Sequence, residues 1–126
     1  MVQIMSKKIY FISDFHLGAD ALLSSRDREK KIVRWLCEIE DSVEELYLVG
    51  DVFDHWFEYN KAIPKGYTRL LGKLAELRDM GIPIYFFTGN HDMWMFRYFE
   101  DELNIPIYRK PITILSRRRL SYRKAV

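Results

Sequence analysis

Three short polar segments hold residue types that can do chemistry. In Asp14-Phe15-His16 a carboxylate and an imidazole stand two positions apart, so in extended chain they point the same way. Both can then reach one cation at about 2.0–2.2 Å. In Gly50-Asp51-Val52-Phe53-Asp54 a glycine lets the backbone turn closely and two carboxylates follow three positions apart. Adjacent carboxylates repel unless a cation or a proton separates them. In Gly89-Asn90-His91-Asp92 a second glycine turn precedes an amide oxygen, an imidazole and another carboxylate. Asn ligates through its carbonyl oxygen, and His acts as ligand or general acid.

Each segment alone has a bland reading: an Asx turn or helix cap at Asp14, a turn cap at Asp51 with Asp54 solvated, a surface His at position 91. What joins them is their place on the elements that must position them. Lys8 to Ser13, Leu46 to Val49 and Pro83 to Phe87 are short β-branched and aromatic runs, read as buried strands. Between Ser25 and Glu40, Ile32, Trp35, Leu36 and Ile39 recur with helical spacing, and Asp27 and Glu29 sit where the helix dipole favours acids. A second helix is expected from about Lys65 to Met80, with Tyr67, Leu70, Leu71, Leu74 and Leu77 on one face and Gly81 as its stop. A shorter helix is expected over Met93 to Leu103, and further strands over Ile105 to Ile107 and Ile112 to Leu115.

Strand, helix, strand, helix, strand with right-handed crossovers gives parallel strands whose C-terminal ends share one sheet edge. All three polar segments fall on that edge, where open α/β sheets bind ligands. Together they offer Asp14, His16, Asp51, Asp54, Asn90, His91 and Asp92, a hard oxygen and nitrogen set suited to Mn, Fe or Zn.

The remaining composition narrows the class. At 126 residues the chain suits one domain, and 48% hydrophobic with 30% charged residues is ordinary globular usage. No stretch approaches the ~20 apolar residues of a membrane span. The apolar run after Lys7 and Lys8 is too short for a signal peptide, so a cytoplasmic location is expected. The single cysteine, Cys37, excludes an intrachain disulfide, and its place in an apolar helical pattern suggests a buried thiol. After Tyr108 come seven basic residues and no acid, which leaves 13 basic against 18 acidic before it. This basic end, from about Ser116, is read as a solvated or disordered tail. An alternative function follows from it: a non-catalytic binding module whose tail engages nucleic acid or anionic lipid.

Asp-x-His, Gly-Asp-x-x-Asp and Gly-Asn-His-Asp in this order resemble the motifs of the calcineurin-like metallophosphoesterases, over roughly residues 8 to 108. The flanks FISDFHLG, LVGDVFDHWFEY and FFTGNHDMWMF are similar to one branch, the UDP-2,3-diacylglucosamine pyrophosphatases of bacterial lipid A synthesis. The resemblance implies an αββα sandwich, of which this chain holds the N-terminal half, an α/β arrangement of mainly parallel strands with helices. It implies two divalent metals, Mn foremost, with Asp14 and His16 on one, Asp51 bridging and Asn90 on the second. It also implies His91 as the group that stabilises the transition state or protonates the leaving oxygen, oriented by Asp54. His55, Trp56, Trp94 and Arg97 flank the site, the two tryptophans as packing.

The family continues with a Gly-His-x-His motif that completes both metal shells, whereas the histidines here are His16, His55 and His91. The expectation is therefore a metallophosphoesterase domain over 1–115 cut short by a frameshift or early stop, weakly active or inactive, retaining one cation. Its partners are expected to be a phosphorylated nucleotide-sugar lipid, with peripheral contact to the inner membrane. Nucleic acid is not expected. Strands apolar on both faces, with two long helices that can cover only part of that area, point to self-association through an exposed sheet.

Overall fold

The computed structural model describes residues 7–19, 24–58, 62–89, 92, 95, 97–110, 113–115 and 121–123. Four parallel strands, β1 (Lys8–Ile12), β2 (Val43–Val49), β3 (Ile84–Phe87) and β4 (Ile107–Tyr108), lie side by side in chain order. Helices α1 (Ser25–Ile39) and α2 (Thr68–Asp79) make the first two crossovers, and the short α3 (Tyr98–Leu103) leads into β4. A separate antiparallel pair joins β5 (Thr113–Leu115) to β6 (Ser121–Arg123).

The alternation of side chains along the strands divides the sheet into two unlike faces. Leu46, Leu48, Ile84 and Phe86 point toward the helices and are fully buried with Leu36, Leu70, Leu74 and Leu77. Each such side chain contributes about 1.5–3 kcal/mol through the water it sheds. The opposite face is aromatic. Phe11, Tyr47 and Tyr85 stack in sequence across three strands, with centroids 4.9 Å apart at both steps. Phe87 stacks on Tyr108 at the sheet's other end. Tyr47, Val49 and Phe87 at the centre of this face are buried within the single chain, and Ile9, Phe11, Tyr85 and Tyr108 around them are partly so. Among the described hydrophobic residues of this face, the remaining exposure is at these four partly buried side chains.

Two buried charges fix the helices to each other. Glu29 is fully buried and accepts from Leu70 N at 2.9 Å, supplying the N-terminal cap that Tyr67 cannot give α2. The acid expected to serve its own helix therefore serves the next one, while Ser24 caps α1 by accepting from Asp27 N. Lys73 is 5% exposed and donates to Glu40 at 2.6 Å and to Glu76 at 2.9 Å, which locks the end of α1 against α2.

Most element boundaries agree with the sequence to within three residues, and four features differ. Cys37 is exposed, not buried, because it follows Leu36 by one residue and so lies about 100° round the helix from the buried stripe. Strand β2 begins at Val43, earlier than its apolar run, since Lys8 pairs with Val43 across the sheet. Helix α3 begins only at Tyr98, because Glu58 accepts from Arg97 N at 3.1 Å and Tyr98 N at 3.0 Å and fixes its start there. Residues 121–123 form β6 in place of an unstructured tail, with Tyr122 paired to Ile114. Residues 116–120 of that tail lie outside the described residues.

Candidate metal centre

The loops after β1 and β2 leave the sheet side by side and stay hydrogen-bonded beyond it. Asp14 N donates to Gly50 O at 3.1 Å, His16 N to Asp51 O at 3.0 Å, Leu17 N to Val52 O at 3.0 Å, and Asp54 N returns to Leu17 O at 2.8 Å. Buried Leu17 and Phe53 anchor this double loop, with Phe53 packed on Trp56, Tyr67 and Phe99. Asp14 and His16 are thereby carried beside Asp51.

The chain here is not extended, as the Asp-x-His spacing suggested. Asp14, His16 and Asp51 have φ of 60°, 46° and 52°, all in the left-handed region, and Gly50 has φ of 80°. Such conformations in non-glycine residues cost of order 1–3 kcal/mol each and persist where their surroundings over-determine them. All three residues whose side chains converge share this strain. One ligand atom from each of Asp14, His16 and Asp51 lies within 4.8 Å of the other two. The His16 ring stands between carboxylates, with Nε2 3.6 Å from Asp14 Oδ1 and Nδ1 3.4 Å from Asp54 Oδ1.

Asp92 does a different job from the ligand role its motif offered. It is fully buried, and its Oδ1 accepts from Gly89 N at 2.7 Å and Asp51 N at 3.2 Å. Its Oδ2 accepts from Val52 N at 3.0 Å and Phe53 N at 3.4 Å. One carboxylate thus ties the loop after β3 to the loop after β2 and holds the backbone of Asp51. Burial raises its pKa, the backbone N–H groups pull the other way, and the nearby Asp51 carboxylate raises it further. Gly89 is needed for this approach: a Cβ there would overlap the Asp51 carboxylate and stand 2.7 Å from Asp51 N.

Asn90, His91 and Trp94 lie outside the described residues. Among the flanking residues, Trp56 is fully buried in the aromatic core, donating through Nε1 to Glu58 Oε1 at 3.2 Å, which makes it packing. His55 is exposed, and the Arg97 side chain is exposed beside Asp101 at 3.5 Å. The Glu58 cap escaped the sequence because its partners are 39 and 40 residues away.

The donor set fits a divalent cation. Two carboxylates and an imidazole are hard or borderline ligands suited to Mn, Fe or Zn, and the crowding of Asp14, Asp51 and Asp54 is relieved by positive charge. The exposed thiol of Cys37 sits away on α1.

A cluster of this kind, built from loops at one edge of a parallel sheet, defines a class of metal centre, and comparison with known proteins gives the family. Residues 7–121 match the calcineurin-like phosphoesterases, and the chain belongs to that family. The chain is 44% identical over 110 residues to the UDP-2,3-diacylglucosamine hydrolase of Porphyromonas gingivalis, covering 87% of this chain and 42% of that protein. It is 31% identical over 114 residues to the protein of the same name from Edwardsiella ictaluri, covering 83% and 42%. A third, from Shewanella sp. (strain MR-4), is 34% identical over 91 residues, covering 72% and 36%. The chain therefore spans about two fifths of the length of these curated relatives.

Proposed function

We propose that this chain carries the metal-binding portion of a hydrolase that cleaves the phosphoanhydride of a UDP-2,3-diacylglucosamine-type nucleotide-sugar lipid. The observation that carries the reading is the convergence of Asp14, His16 and Asp51 within 4.8 Å, on a chain 44% identical to a hydrolase of that name. Asp14 and His16 would hold one divalent cation, Asp51 would share it with a second, and Asn90 would complete the protein's contribution to the second. Mn is the first choice, with Fe and Zn compatible with the same donors. When bound, such cations polarise phosphoryl oxygens and lower the pKa of water, which is the chemistry an in-line displacement at phosphorus requires.

The chain's own residues supply orientation and a proton. His16, with Nδ1 beside Asp54 and Nε2 beside Asp14, has the orientation that a ligating imidazole would take. Asp92 fixes the backbone of Asp51 through its N–H, which sets where that carboxylate projects. His91 would give its proton to the leaving oxygen of the nucleoside monophosphate, steadied by Asp54. A lipid substrate would bring the chain into peripheral contact with the inner membrane, for which the cytoplasmic side is the proposed location, and the partly exposed rings of the aromatic sheet face would allow self-association.

The test is hydrolysis of UDP-2,3-diacylglucosamine in Mn²⁺, followed as release of uridine monophosphate. The expected result is slow release that EDTA abolishes and that is lost in Asp51→Asn. Release indifferent to EDTA, or a wild-type chain that binds no Mn²⁺, would overturn the reading.

A further inference from the structure

The loop that carries Asp14 and His16 is held from behind by the first turns of α1. Arg28 Nη1 donates to Phe15 O at 2.8 Å and to His16 O at 3.3 Å, and Nη2 donates to Ala19 O. Ser25 Oγ accepts from Gly18 N at 2.7 Å, so the same stretch of helix grips the loop through a second side chain. Arg28 pairs with no carboxylate among the described residues, and its Nε is buried without a hydrogen-bond partner. Its guanidinium is therefore committed to three carbonyls of one loop. A planar fork with donors in fixed directions can span carbonyls that a single ammonium cannot.

We propose that Arg28 is a positioning residue of the metal centre, holding residues 15–19 in the conformation that aims Asp14 and His16 at the cation. This rests on the metal reading above. Asp14 and His16 sit at φ of 60° and 46°, so the loop relaxes unless something outside it fixes its carbonyls. Arg28 supplies that constraint, and it takes hold of the carbonyl of the ligand His16 itself. Charge alone argues the opposite way, because a guanidinium next to a cation site repels the cation. Removing Arg28 thus tightens metal binding if its charge is what matters, and weakens it if its geometry matters.

The experiment is Mn²⁺ titration followed by the electron paramagnetic resonance signal of the free ion, on wild type, Arg28→Ala, Arg28→Lys and His16→Ala. Urea unfolding of each variant confirms that it is folded under the assay conditions. The expected result is at least tenfold weaker binding in Arg28→Ala, an intermediate loss in Arg28→Lys, and partial recovery of Arg28→Ala with millimolar guanidinium. His16→Ala should not recover. If Arg28→Ala fails to fold, Arg28→Lys carries the test, and binding equal to wild type overturns the proposal. Unchanged or tighter binding by folded Arg28→Ala, with binding still lost in His16→Ala, overturns the positioning role alone. Absence of Mn²⁺ binding by wild type overturns the metal reading and this inference with it.

Discussion

The imidazole of His16 lies between two carboxylates, Nδ1 3.4 Å from Asp54 Oδ1 and Nε2 3.6 Å from Asp14 Oδ1. A neutral ring whose Nδ1 proton faces Asp54 leaves the Nε2 lone pair for a cation held with Asp14, an arrangement that fixes tautomer and ring plane together. Asp54→Asn removes the charge that steadies this proton. Mn²⁺ affinity should fall about 10–100-fold, the usual cost of losing such a partner, while the melting temperature changes little at so accessible a position. Calorimetric titration alongside thermal unfolding checks this, and an unchanged affinity would separate Asp54 from His16.

Asp92→Ala strips the acceptor from four backbone N–H groups at the junction of two loops. Leaving buried donors unpaired costs about 1–3 kcal/mol apiece. With partial rescue by water, a loss of about 3 kcal/mol in urea unfolding is expected. Asp92→Asn should also destabilise, since its amide nitrogen meets N–H donors on one side. Wild-type stability in both variants would contradict the tie between the loops.

Gly89→Ala places a methyl group against the Asp51 carboxylate and backbone. The overlap is with backbone as well as side chain, so it cannot be relieved by a rotamer change. Overpacking of this kind costs about 1–3 kcal/mol. A matching displacement of Asp51 should weaken Mn²⁺ binding by at least tenfold, read by the same titration.

Alkaline pH should destabilise the fold through its buried and half-buried phenols. Burial is the first cause raising the pKa of Tyr47, Tyr67, Tyr85 and Tyr98, with the neighbouring Glu45 adding to Tyr47 and Tyr85. Above about pH 10 the unfolded chain releases these protons and the folded chain keeps them, so folding binds protons and stability falls as pH rises. Below that value the contribution is intact. Absorbance at 295 nm should show the folded chain ionising later than the chain in urea, and coincident curves would contradict the burial of these rings.

The sheet and its main helices were legible because their information is local: apolar periodicity set α1 and α2, and Gly81, at φ of 89°, ended the second. Glu58 and Glu29 were illegible as caps because each serves a helix start about 40 residues away. The meeting of Asp14, His16 and Asp51 followed from motif order and strand edge, but the left-handed backbone that produces it did not. Two constraints hold it, the pairing between the loops, visible only when β1 and β2 are side by side, and the Arg28 bonds to the carbonyls of the first loop. Nothing in the spacing around Arg28 marks it as the partner of the carbonyls of Phe15, His16 and Ala19.

The most direct measurement is calorimetric titration of Mn²⁺ into wild type and Asp51→Asn, with far-ultraviolet circular dichroism on both. Asp51 is the ligand on the second loop, so it tests whether the two loops share one cation. The prediction is about one equivalent bound by wild type at the three-ligand site, the second cation having too few ligands in this chain to be held alone, with most of that affinity lost in Asp51→Asn and an unchanged helical signal because carboxylate crowding has been relieved. Equal Mn²⁺ affinity in the two proteins, or affinity lost only together with the helical signal, would mean that Asp51 is a turn residue and the metal centre does not exist as described.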